Sequence, residues 1–317
     1  MKVIAIDIGA TNLRVALFEN NSKINEIKVK TPRDDPNSIS KSIIKMINEL
    51  SPNRDFQSIG IGTIGPLNLK KGIIELAPNL GLKNIPLRDP LVNEFHKDVY
   101  IANDAMAAVW AEKILGDAKN KNDLVYITMS SGIGVGAIID GNLIVGRRGN
   151  SHEMGHSLVK FDSNLVCGCG KIGHWEAYAG GKNIPKVAKE FANEWKGKES
   201  EGYFLAKENN LTPEKLYDLA RKNDEFSKSL VDFLNIIHAA GISNIIAAYD
   251  PEVIYIGGSI YLYNEDLIKP YLIKYIPMFS ALGVPEIKMC TFGDDQVLYG
   301  AASIAINPPS QIKKFNL

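Results

Sequence analysis

The segment Ile4–Asn21 recurs 121 residues later as Val125–Asn142. Ile4-Ala-Ile-Asp-Ile-Gly-Ala-Thr-Asn-Leu-Arg-Val-Ala-Leu-Phe-Glu-Asn-Asn lies over Val125-Tyr-Ile-Thr-Met-Ser-Ser-Gly-Ile-Gly-Val-Gly-Ala-Ile-Ile-Asp-Gly-Asn without a gap. Apolar positions fall on apolar positions, Asp7 falls on Thr128, and both copies close on Asn. This is an internal repeat of one supersecondary unit. Each copy is an apolar run, a short Gly- or Ser-bearing turn and a second apolar run, the pattern of a β-hairpin. Strands are predicted over Lys2–Asp7 and Asn12–Phe18, with a third ending near Thr31. Two such hairpins facing each other would grip a polyphosphate from both sides.

The turn Asp7-Ile-Gly-Ala-Thr-Asn12 has the character of a phosphate loop. Gly9 lets backbone approach a ligand, and Thr11 and nearby amides can donate to phosphate oxygens. Asp7 is placed to hold a magnesium ion through water. An ordinary hairpin makes the same demands on sequence; the second copy is what tilts the balance. The chain has no Gly-x4-Gly-Lys-Ser/Thr, which argues against a P-loop kinase.

The densest chemistry lies between Glu153 and Glu176. Of the five His and three Cys in the chain, His156, Cys167, Cys169 and His174 fall here. Zinc takes four N or S ligands in a tetrahedron, and a site filled by four protein ligands is closed and structural. Gly168, Gly170 and Gly173 are expected to supply the positive-φ turns of a metal knuckle. Two buried thiols with surface imidazoles, or a disulfide, are the alternatives, and a Cys167–Cys169 disulfide would be badly strained. Glu153 and Glu176 frame the cluster as two acceptors for a polyhydroxylated ligand. His152 lies off the ligand spacing and is unassigned.

A length of 317 residues suits two domains. Thirty-six basic and thirty-six acidic residues cancel, which argues against a nucleic-acid footprint or a membrane-surface patch. Apolar runs such as Ile245–Tyr249 are too short to span a bilayer. Asp7 interrupts the N-terminal run, so no signal peptide is expected. Three Cys, two of them candidate ligands, suit a reducing cytoplasm.

Elsewhere, a helix is expected over Asn37–Leu50 with Ile39, Ile43, Ile44 and Ile47 inward. Ser58–Thr63 is a strand ending at Gly65-Pro66, and Ile74–Leu80 a loop. Val99–Asp104 is a strand running into the helix Ala105–Leu115, a junction where ligand groups often sit in open α/β sheets. Asp104 there is either a helix N-cap or a general base. Arg147 and Arg148 are read as a solvated turn. Ile184–Trp195 is an amphipathic helix, Lys196–Glu201 a charged turn, and Thr212-Pro213 an N-cap with first-turn Pro. A long helix runs from Glu225 to about Ala248 and is interrupted at Gly241. Val253–Ser259 is a buried strand with a glycine turn, Glu286–Phe292 the last strand, Gln296–Ile306 the closing helix, and Cys290 a buried apolar residue.

Glu153-x-Gly-His156, ten residues, Cys167-x-Cys169-Gly-x-x-Gly-x-x-Glu176 resembles the signature of the ROK family of sugar kinases and related repressors. The family's usual third Cys is His174 here, an equally valid zinc ligand. The resemblance covers almost the whole chain. It implies an α/β, two-domain actin-like ATPase (ribonuclease H-like) fold with duplicated β-hairpin/α units and an interdomain cleft. The domains would be residues 1–104, with a closing helix at about 304–317 packing back, and 105–303, carrying the zinc loop 153–176 and the helical region 184–248.

The implied activity is ATP-dependent phosphorylation of a hexose at its 6-hydroxyl. An N-acetylmannosamine or N-acetylglucosamine kinase is the nearest alternative. A non-catalytic sugar-sensing regulator is the other; its family members carry a helix-turn-helix module ahead of the body, for which a strand beginning at residue 2 leaves no room. The resemblance makes Asp104 the catalytic base and Gly65, Asn79, Asn103, Glu153, His156 and Glu176 sugar-binding residues. Asp7, Gly9, Thr11, Asn12, Ser131, Gly132, Gly134, Gly257 and Gly258 would bind ATP and its phosphates with Mg2+. Structural Zn2+ would sit on His156, Cys167, Cys169 and His174. Asn12 stands where many members have Lys, and Ser130-Ser131 replaces Gly-Thr; the Ser131 hydroxyl can still donate. A homodimer or homotetramer is implied, with no nucleic-acid or membrane partner.

Overall fold

The computed structural model describes residues 1–77, 79–151 and 153–316. The chain divides into two compact units, one of Met1–Tyr126, Gly136–His152 and Cys290–Leu317, the other of Ile127–Val135 and Glu153–Met289.

In the first unit, β1 (Lys2–Ile8), β2 (Asn12–Glu19) and β3 (Ser22–Lys30) form the expected antiparallel meander. Val3 through Ile6 are buried without alternation, as a central strand covered on both faces requires. Helix α1 (Ser38–Leu50) buries Ile39, Ile43, Met46 and Ile47. Ile44, expected inward, is half-buried, and Met46 fills the core position instead. Strand β4 (Ser58–Thr63) pairs parallel with β1. Next come β5 (Leu67–Asn68), β6 (Ile73–Ala77) and β7 (Leu82–Pro86), a small antiparallel sheet in its own right. The expectation of a loop over Ile74–Leu80 is therefore corrected: Ile74–Ala77 is strand, with Ile85 opposite Ile74, and only the turn carrying Asn79 is irregular. Pro78 lies outside the described residues.

Helix α2 (Arg88–Phe95) leads to β8 (Asp98–Asn103), which closes the order β3-β2-β1-β4-β8. Helix α3 (Asp104–Ile114) is buried almost all round, from Ala105 to Glu112. The second meander is β9 (Leu124–Met129), β10 (Ile133–Ile139) and the short β11 (Asn142–Leu143). Arg147 and Arg148 are exposed, as expected. His152 lies outside the described residues.

The second unit is mainly helical: α4 (Trp175–Ala179), α5 (Ile184–Glu194), α6 (Glu201–Lys207), α7 (Pro213–Arg221) and α8 (Glu225–Tyr249), then β12 (Val253–Gly257), α9 (Ser259–Leu262), α10 (Glu265–Tyr275) and β13 (Glu286–Met289). The second five-stranded sheet runs β11-β10-β9-β12-β13. Thr212 caps α7 as expected, its side chain accepting the Lys215 amide. Helix α8 is continuous through Gly241, against the expected interruption. A Cβ at Gly241 would stand 2.2 Å from Trp175 Cδ2, so the glycine admits an indole rather than breaking the helix. By length and composition α8 could cross a membrane, which the apolar runs alone did not indicate. Yet 67% of its apolar window is buried inside the protein, as in a core helix.

Two closing helices, α11 (Gln296–Ile306) and α12 (Ser310–Lys313), return to the first unit. A Cβ at Gly60 would fall 1.9 Å from Ala301 O, and one at Gly300 would fall 2.2 Å from Ala107 O. Bare backbone at both positions lets α11 lie directly on β4 and α3. The unit division consequently differs from the expected one at residues 104 and 303: α3 and all of α11 pack with the first unit. The last strand stops at Met289 rather than Phe292, and Cys290 is buried.

Candidate active site

The four candidate metal ligands converge. His156 ends the 3₁₀ turn Glu153–His156, the cysteines lie on the following loop, and His174 is the N-cap residue of α4. Their ligand atoms all lie within 4.8 Å of one another. His156 Nδ1 is 3.6 Å from Cys167 Sγ, and His174 Nδ1 is 3.3 Å from Cys169 Sγ. A tetrahedral zinc with ordinary Zn–N and Zn–S bonds sets adjacent N and S atoms about 3.6 Å apart. The donor set therefore fits zinc. Each thiol faces an imidazole, and both cysteines are free of disulfide.

The knuckle is tightened by Cys167 N donating to Lys171 O at 2.7 Å and Gly170 N donating to Cys167 O at 2.8 Å. Gly170 and Gly173 adopt positive φ, of 83° and 74°. Gly168 does not, which corrects the expectation for that glycine. Hydrogen bonding to Cys167 and then to Glu153 raises His156 to about 11. Burial pushes the Cys167 thiol up, but hydrogen bonds to His156 and Cys169 together outweigh it and leave the thiol below its usual value. A metal requires the thiolate and the neutral imidazole, so its binding here would release the His156 proton.

Glu176, on the first turn of α4, reaches the second hairpin. Its Oε2 accepts the Ile133 amide at 2.8 Å, and its Oε1 is 3.9 Å from Cys167 Sγ. A Cβ at Gly132 would meet Oε2 at 2.5 Å, so Gly132 is a seat for the carboxylate. The turn is also held by its carbonyls: Gly181 N donates to Ser130 O at 2.8 Å and Lys182 N to Ser131 O at 3.0 Å. Glu153 is exposed, with Oε2 3.3 Å from His156 Nε2. His156 thus turns Nδ1 to the metal ligands and Nε2 to the Glu153 side.

Beside this turn lies a cavity of about 550 Å³, bordered by Ser131, Lys182, Glu214, Asp218, Ser259 and Tyr263, among others. That is within the size range of small-molecule sites. Gly258, at φ 85°, opens α9 there; a Cβ would stand 2.5 Å from Met129 O. Gly257 and Gly134, expected to bind ATP and its phosphates, lie within β12 and β10. Lys182, Glu214, Asp218 and Tyr263 belong to no motif, and no local pattern marks them. Arg221, also on the rim, is bound by Asp266 at 2.7 Å.

In the first unit, Asp7 is the penultimate residue of β1. Burial pushes its carboxyl up to about 7; Arg14, 3.9 Å away, acts downward, and Asp104, Glu26 and Asp295 act upward. Arg14 itself is held by both oxygens of Glu26 and by Asp295. Gly9 N donates to Asn12 O at 2.9 Å, so this amide serves the turn; Thr11 is exposed. Asn103, rather than Asp104, is the N-cap of α3: its Oδ1 accepts the Ala105 amide at 2.8 Å. Asp104 is half-buried on the first helical turn, its Oδ1 accepting the same amide at 2.7 Å. Gly65 precedes Pro66 through a cis peptide. The loop that follows is held by Asn150, whose amide exchanges two 2.9 Å hydrogen bonds with the Leu67 backbone. Asn150 was not singled out in the sequence.

Structural comparison defines the class. A ROK hexokinase from Thermus thermophilus matches with a TM-score of 0.82 at 26% identity, covering 96% of this chain and 98% of that one. A ROK family glucokinase from Streptomyces griseus, solved with glucose and AMPPNP, matches with a TM-score of 0.77 at 26% identity, covering 96% and 99%. The fold is the α/β, two-domain actin-like ATPase fold. The chain belongs to the ROK family, whose model matches residues 3–307. A curated relative, the glucokinase of Pyrobaculum calidifontis, is 37% identical over 99% of this chain and 98% of its own length.

Proposed function

We propose that this protein transfers the γ-phosphoryl group of ATP to the 6-hydroxyl of a hexose, glucose foremost. The observation that carries this is Glu176, which touches both the turn of the second hairpin and the metal-ligand cluster. It thereby joins a nucleotide-sized cavity to residues that suit a sugar. The glucokinase relative over nearly the full chain points the same way.

Asp104 accepts the proton of the 6-hydroxyl as its oxygen bonds to phosphorus, and ADP leaves with the electrons of the broken P–O bond. Asn103, Asn79 and Gly65 position hydroxyls, as do Glu153, His156 and Glu176. His156 would help hold zinc, which would fix its ring orientation and tautomer and leave its other ring nitrogen for the sugar. Ser131 lines the cavity, and Ser131, Gly132, Gly258, Gly9, Thr11 and Asn12 are the proposed phosphate ligands. Asp7 would hold magnesium, which neutralises charge on the phosphates. Zinc on His156, Cys167, Cys169 and His174 would be structural. The working form is a homodimer or homotetramer in the cytoplasm.

The test is a coupled assay of initial rates with ATP and magnesium on glucose, mannose, N-acetylglucosamine and N-acetylmannosamine. Glucose is expected to give the highest kcat/KM. Folded, metal-loaded protein that forms ADP with none of the four would sink the proposal; preference for an N-acetylated sugar would reassign the substrate.

A further inference from the structure

We infer that Glu176 is a positioning residue for the nucleotide, and that through it the metal-ligand cluster sets how tightly ATP or ADP is held. The inference rests on the kinase reading and adds a coupling between its two sites. It stands on contacts within one compact unit.

The cluster fixes α4. His174 is its N-cap residue, and the Ala177 amide donates to His174 O at 3.0 Å. Trp175 N donates to Ser157 O at 3.0 Å, one residue after His156. Glu176 therefore projects from a turn whose position the metal ligands define. Its Oε2 accepts from Ile133 N, at the end of the turn Ser130–Gly132. The turn after α4 is tied to it by Asn183 Nδ2, which donates to Glu176 O at 2.8 Å, and grips the same segment through the Gly181 and Lys182 amides, which donate to the Ser130 and Ser131 carbonyls. Ser130, Ser131, Gly181 and Lys182 all line the 550 Å³ cavity. A shift of the knuckle thus moves the cavity wall. Gly132 is the matching half of the contact, since any side chain there displaces the Glu176 carboxylate.

A charged acceptor on a backbone amide contributes enough that its loss changes binding about tenfold or more. The experiment is calorimetric titration of ADP, without sugar, into zinc-loaded full-length protein, chelator-stripped protein, and Glu176→Ala, Glu176→Gln and Gly132→Ala variants. Zinc content and melting temperature are measured on each. Stripping, Glu176→Ala and Gly132→Ala should each weaken ADP binding about tenfold. Gly132→Ala should do so with zinc content unchanged. Glu176→Gln, whose amide oxygen can still accept from Ile133 N, should stay within about threefold of wild type. Unchanged ADP affinity in both the stripped protein and Gly132→Ala overturns the inference, as does equal loss in the Ala and Gln variants. Those results leave glucose phosphorylation by the loaded enzyme standing. Loaded wild type that binds no ADP removes the kinase reading as well.

Discussion

The Nε1–H of Trp175 donates to Nδ1 of His238 across 3.2 Å in the core of the second unit. The indole is fully buried and its ring meets the imidazole edge-on. Trp175 is the link between His174, a candidate zinc ligand, and Glu176. The side chain that fixes the orientation of α4 is therefore anchored on α8 by a neutral histidine.

Burial lowers His238 to about 4. A protonated imidazole could not accept from Trp175, so folding favours the neutral form. The unfolded chain takes up the proton near the ordinary value of about 6.5, the folded protein only near 4. Between these values the unfolded state binds more protons at this site, so the His238 contribution to stability falls as pH drops from about 6.5 to about 4, by up to roughly 3 kcal/mol, and levels off below. Because Asp7 titrates in the opposite sense, the His238 contribution is read as the difference between wild type and His238→Phe in urea unfolding at pH 7.5, 6 and 4.5. His238→Phe should abolish the part due to this group while costing about 1–3 kcal/mol at pH 7.5, because the indole N–H is left unpaired. A variant with the wild-type pH slope would show that His238 is not the titrating group.

Gly241 is the other half of that socket. Gly241→Ala places a methyl against the Trp175 ring, where a Cβ would be 2.2 Å from Cδ2. Alanine ordinarily strengthens a helix by about 1 kcal/mol over glycine. Here the expected result is the opposite: a melting temperature lower by several degrees and weaker zinc retention. A stabilised variant would mean that the indole repacks without cost.

The sequence announced some of this and not the rest. The hairpins were legible because their apolar pattern is carried locally and repeats at a constant offset. The four metal ligands were legible because Cys and His are scarce and fall close together. Strands β5 to β7 were hidden because two- and five-residue strands beside Pro78, Asn79 and Gly81 look like a loop. Helix α2 was hidden by its length of eight residues and by Pro90, which is tolerated only because it falls in the first turn. Gly241 was misread because glycine in a helix has two causes, a break or a close neighbour, and only the position of Trp175 decides. The Glu176–Ile133 bond joins residues 43 apart, and no local pattern encodes it.

Removing one ligand should release the metal. Cys169→Ser changes an exposed residue that contributes little to the core, so lost packing is a minor factor. Zinc measured by inductively coupled plasma mass spectrometry is expected near one per chain in wild type and well below that in the variant. Melting temperature should fall by about 5 °C or more. Equal zinc content in both proteins would remove Cys169 from the ligand set.

Asp104 distinguishes base catalysis from helix stabilisation. Asn103 is the N-cap of α3, so the helix keeps its cap when Asp104 is changed. Asp104→Asn should leave stability within about 1 kcal/mol and glucose binding nearly intact, while kcat falls about 10²–10⁴-fold. Near-normal turnover would exclude the base role.

Asp7 should trade stability for function. Its carboxyl is raised to about 7 by burial, so the folded protein keeps a proton that the unfolded chain releases near the ordinary carboxylate value. The Asp7 contribution to stability therefore rises as pH falls from about 7 towards 4, opposite in sign to that of His238, and the ionised group is a burden above pH 7. Asp7→Asn removes that titration. The variant should melt several degrees higher than wild type at pH 8 in the absence of divalent cation, with the difference shrinking at pH 5. If Asp7 also holds magnesium, kcat should fall at least about 100-fold and the magnesium needed for half-maximal rate should rise. A difference in melting temperature that is the same at both pH values would show that the Asp7 carboxyl is ordinary, and that its contact with Arg14 offsets its burial.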